Sequence, residues 1–104
     1  MLAPIDAKVT LEIGGEPITL ALNFRAAALA EAAGVDPFNP MQMTTLDTAR
    51  LVRALATEAH PDITDEQAFA LVFKGGESIG KALVDLYSKA AGVGEAGNGT
   101  KAGK

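Results

Sequence analysis

From Lys8 the chain alternates: Val9, Leu11 and Ile13 are apolar, while Lys8, Thr10 and Glu12 are polar. A period of two is that of a half-buried strand. Gly14-Gly15-Glu16-Pro17 reads as a turn, because Gly tolerates positive φ and Pro cannot donate to a ladder. Ile18, Leu20 and Leu22 then alternate with Thr19 and Ala21, which completes a hairpin with one apolar face. Two strands alone are marginal in water, so that face must lie on helices or on another subunit.

The period then changes. Asn23 can cap a helix from Phe24 to Ala33, rich in Ala, the best helix former, and stopped by Gly34. Residues 35–43 form a loop with two prolines and several apolar side chains. Thr44 with Asp47 resembles a capping box and opens an amphipathic helix from about Thr45 to Ala59. Leu51, Val52, Leu55, Ala56 and Ala59 share one arc of it; Asp47, Arg50, Arg53 and Thr57 share the other. His60-Pro61-Asp62 ends that helix. Thr64 with Gln67 is a second capping box, opening a short helix over 65–74. Gly75-Gly76 breaks it, and a last helix is expected from about Glu77 to Ala91. Apolar residues on the last two helices spread beyond one narrow stripe, which implies helices that are central in the domain or partly covered by a partner. The expectation is one α+β domain over residues 1–91, a hairpin packed on about four helices. A Gly-rich tail, 92–104, has no large side chain after Val93 and is expected to be disordered.

Composition narrows the function. Of the 104 residues, 48% are hydrophobic, but 20 are Ala and only 5% are aromatic. That favours close helix packing over a large aromatic pocket. The net charge of −4 argues against a nucleic-acid binder, which needs a basic face. The chain has no Cys, which excludes disulfides and thiolate chemistry. No stretch approaches a membrane span, and the first residues lack the basic start and apolar run of a signal peptide. The expectation is a cytoplasmic protein.

Candidate chemistry is sparse. His60 is the only His, so a metal or general-base site lacks partners; the expected role is a cation at a helix C-terminus. Asp62, Asp65 and Glu66 lack calcium-loop spacing and read as first-turn acids. The Gly pairs lack the spacing of phosphate-binding loops. Ser78, Ser88 and Tyr87 have no base in view. The reading is a non-enzyme with no cofactor and no metal. Phe38, Met41 and Met43, with the outward parts of Phe73 and Tyr87, are the candidate partner-binding residues, since Met-rich apolar surfaces repack against varied partners.

Two segments carry a resemblance. One is Val9-Thr-Leu-Glu-Ile-Gly-Gly-Glu-Pro-Ile-Thr-Leu-Ala-Leu-Asn-Phe24, leading into an Ala-rich helix that ends at Gly34. The other is Leu51-Val-Arg-Ala-Leu-Ala-Thr-Glu-Ala-His-Pro-Asp-Ile-Thr-Asp-Glu-Gln67. With the last helix they cover roughly residues 7–91, and the chain resembles the small tail assembly chaperones of tailed phages and gene-transfer-agent particles. It departs from them in the Ala-dominated first helix and the Asp36–Pro40 loop. The resemblance implies a protein that binds the tape-measure protein, helps tail-tube protein assemble around it, and is absent from the finished particle. Self-association is open. Other classes are a structural tail-completion or connector protein and a small regulatory protein-binding module.

Overall fold

A computed structural model describes residues 4–37 and 43–92. The elements run β1 (Asp6–Ile13), β2 (Glu16–Asn23), α1 (Phe24–Ala32), α2 (Thr45–Ala56) and α3 (Asp65–Ala90). The architecture is α+β.

The hairpin pairs without a bulge from Asp6 opposite Asn23 to Ile13 opposite Glu16. Gly14 and Gly15 take φ of 60° and 84°, the doubly positive combination of a type I′ turn, whose twist matches that of the strands it joins. One face is apolar as expected: Ala7, Val9, Ile13, Ile18, Leu20 and Leu22 are buried, and Leu11 is partly buried. The helices cover this face. α3 lies chiefly along β1, while α1 and α2 sit against β2.

Local chemistry fixes the helix ends. Asn23 Oδ1 accepts the Ala26 N–H at 2.9 Å and starts α1. At the other end the Val35 N–H reaches the Ala30 carbonyl and the Gly34 N–H reaches Glu31, with Gly34 at φ 87°. That is a Schellman stop, and buried Val35 supplies its apolar contact. Thr44–Asp47 and Thr64–Gln67 form the two reciprocal capping boxes. The second helix ends at Ala56 rather than Ala59; Thr57–Ala59 make a turn in which the His60 N–H still reaches the Ala56 carbonyl at 2.8 Å. Ala59 is exposed.

The two helical stretches expected on either side of Gly75-Gly76 are both present, joined end to end through non-helical backbone at Gly76 as the kinked element α3. The two glycines act differently. Gly76 carries the kink, at φ 31° and ψ −102°. Gly75 is where α3 meets the sheet: a Cβ there would lie 2.9 Å from Ile13 Cδ1 and 3.0 Å from Ile79 Cγ1.

The core is made by Leu20, Leu22, Leu51, Val52, Leu55, Ile79 and Leu86, all essentially inaccessible. Each contributes about 1.5–3 kcal/mol by leaving water. Buried Ala26 and Ala30 let α1 sit close. Among the described residues, no helix is long and apolar enough to cross a membrane. Residues 93–104, expected to be disordered, lie outside the described residues.

Candidate partner-binding site

The five residues singled out from sequence have different surroundings. Phe38 and Met41 lie outside the described residues. Met43 is partly buried and packs against the core. Tyr87 also packs there, and its hydroxyl donates to the Pro37 carbonyl, anchoring α3 to the first part of the α1–α2 loop. Burial, helped by the Asp36 carboxylate, pushes the Tyr87 pKa up to about 12, so the hydroxyl stays protonated. Phe73 is 80% exposed on α3.

Tyr87 belongs to an apolar groove of about 430 Å³ lined by Leu51, Gly80, Leu83, Val84, Tyr87 and Ser88. Leu51 comes from α2 and the rest from α3. Gly80 leaves the groove open, since a Cβ built there would meet nothing within 4 Å. Val84 stands 69% exposed at the rim. Phe73 does not line this groove.

A second apolar cavity, about 390 Å³, is lined by Pro4, Ile5, Leu22, Asn23, Phe24 and Ala27. Phe24 is 88% exposed. Reading along the strand missed it for a physical reason. Ile18, Leu20 and Leu22 point inward, and strand alternation would send Phe24 the same way. The strand stops at Asn23, and the first helical turn carries Phe24 out to solvent. The signal was available: an aromatic in the first position after an N-cap.

Polar side chains hold this frame. His60, expected to serve the end of its helix, instead reaches the hairpin: its Nε2 accepts the Thr19 N–H at 3.2 Å. Arg53 is more than part of a solvated face: its guanidinium donates to the Ile63 carbonyl at 3.1 Å and to Asp65 at 2.9 Å, tying α2 to the start of α3. Glu58 bridges Lys8 at 3.1 Å and Asn23 at 2.8 Å. These bonds raise the pKa of Lys8 and lower that of Glu58. Among the described residues, no group of three or more His, Asp or Glu is placed to hold a metal ion. Among the described residues, the geometry offers two apolar concavities at the surface.

No known family model, curated protein or solved structure matches the chain.

Proposed function

We propose that this chain is a non-enzymatic tail assembly chaperone of phage or gene-transfer-agent type. It binds the tape-measure protein, promotes assembly of tail-tube protein around it in the host cytoplasm, and leaves before the particle is complete. The observation that carries this reading is the set of large apolar side chains left in solvent by a well-capped domain: Phe24, Phe73 and Val84, the last at the rim of a groove. An apolar groove with an exposed apolar residue at its rim is a candidate docking surface. A long helical tape measure exposes apolar stripes until the tube encloses it. Covering it takes many weak, displaceable contacts rather than one tight one. The net charge of −4 keeps such a protein soluble while its apolar surface is free.

The test is co-expression with the long helical protein encoded nearby, then pull-down and size-exclusion chromatography with light scattering. A soluble complex with several copies of this chain per partner supports the reading. If no complex forms and the chain makes a discrete stable ring alone, a structural virion component takes its place.

A further inference from the structure

A two-stranded sheet has two outer edges, and here they differ. In a two-residue hairpin loop the closing pair, Ile13 and Glu16, exchanges hydrogen bonds, and every second pair does the same. The N–H and C=O groups of Pro17, Thr19, Ala21 and Asn23 therefore face outward on β2, and those of Asp6, Lys8, Thr10 and Glu12 face outward on β1. Two contacts agree with this parity: the Thr19 N–H meets His60, and the Lys8 carbonyl meets Lys89 Nζ at 3.4 Å.

The β2 edge is closed to another strand. Pro17 has no N–H, the Thr19 N–H is taken by His60, and Asn23 turns into α1. The β1 edge has no proline and no bulge, and its four outward residues are all exposed. Among the described residues, no backbone group outside the hairpin pairs with it. At its middle, Leu11 is the only inward-facing β1 residue that is not fully buried.

We propose that this edge pairs with β1 of a second copy of the chain, antiparallel about a twofold axis at Thr10, giving a continuous four-stranded sheet. Charge and the place of Pro4 together select the register. With the axis at Thr10, Lys8 lies opposite Glu12 of the second copy, twice, and Thr10 lies opposite its own mate. An axis at Lys8 or Glu12 sets like charges opposite each other, and one at Val9 sets Asp6 against Glu12. An axis at Leu11 leaves Lys8 and Glu12 without opposite charges, and one at Ala7 pairs Lys8 with Asp6 but sets Thr10 against Pro4, which has no N–H. The chosen register also lays Val9 of the second copy across from Leu11, covering the gap in the apolar face. Lys8 keeps enough donors to serve both Glu58 and Glu12. Lys89 must leave the Lys8 carbonyl, and its contact there is long, with Asp85 able to hold it at 3.5 Å. The proposal stands apart from the tape-measure reading, since it needs no other protein.

The test uses the full chain, which has no native cysteine. Opposed residues in a hydrogen-bonded antiparallel pair sit about 5.5 Å apart, within disulfide range. Thr10→Cys should therefore give a disulfide-linked dimer under mild oxidation, while Asp6→Cys, far from its mate in this register, should not. Light scattering against concentration should show a monomer–dimer equilibrium, weakened about tenfold by Glu12→Lys, which turns both Lys8–Glu12 pairs repulsive. Thr10→Pro, which removes an outward N–H that the hairpin does not use, should give monomer, and Thr10→Val should not. A wild-type monomer at every concentration overturns the proposal. So does a dimer that is insensitive to Glu12→Lys and cross-links as well through position 6 as through position 10.

Discussion

α2 and α3 invert the usual relation between length and burial. α2 has 12 residues and buries six of them: Ala49, Leu51, Val52, Ala54, Leu55 and Ala56. α3 has 26 residues and buries four: Ala68, Ile79, Ala82 and Leu86. α2 touches α1, β2 and α3, and leaves exposed the face that carries Leu46, Arg50 and Arg53. α3 rests on β1 and α2 along one side and leaves Phe69, Phe73 and Val84 in solvent. The short helix holds the fold together, and the long one displays surface. Hydrophobic content alone does not separate these roles; what separates them is how many neighbours surround the axis.

Substitutions can break this contrast or sharpen it. The largest effect is expected in α2. Leu55→Ala should cost about 2–5 kcal/mol, because the core collapses only in part around the lost side chain; a denaturant melt measures it, and a loss below about 1 kcal/mol would show α2 to be less central than its burial implies. Next is the seam between α3 and β1. Gly75→Ala should cost about 1–3 kcal/mol by overpacking Ile13 and Ile79, read in the same melt. Third is Tyr87, whose pKa is higher in the folded chain than the ordinary value of 10.0. Its contribution is complete below about pH 10 and is lost as the pH rises to about 12. Wild-type stability should fall across that window, and Tyr87→Phe should lack the step; unfolding midpoints taken through the window decide it. The smallest effect on stability belongs to the display side of α3. Phe73→Ser and Val84→Ser should change stability by about 0.5 kcal/mol or less while, if the proposed function holds, weakening capture of the tape-measure protein. If the domain unfolds instead, these residues are core and the contrast fails.

Much of the fold was legible because its signals are local. The glycine pair of the hairpin turn, the Asn23 cap, both Thr capping boxes and the Gly34 stop each act within a few residues. What was not legible depends on distance along the chain. His60 meets Thr19 across 41 positions, and nothing near either residue announces the pairing. The helix break at Gly75-Gly76 was legible and falls at Gly76, but composition gave no sign that Gly75 closely approaches Ile13. Among the candidate residues, nothing in the sequence tells Met43, packed against the core, from Phe73, left in solvent. Phe73 is exposed and Tyr87 lines a groove, yet the exposure of Phe24 and the opening at Gly80 emerged only once the helices were placed.

The kink at Gly76 has an electrostatic consequence. An uninterrupted helix of this length would add its peptide dipoles into one field, positive near Asp65 and negative near Ala90. The turn of the backbone at Gly76 divides that sum, so α3 carries two shorter dipoles end to end. Lys74 then lies at the negative end of the first, and Glu77 at the positive end of the second, each with the sign that the local field favours. In a straight helix the same two charges would sit in mid-span, where the field offers them little. Gly76→Ala would therefore meet one of two costs: strain at positive φ if the kink is kept, or, if the helix straightens, this pair of charges left without its local counterparts.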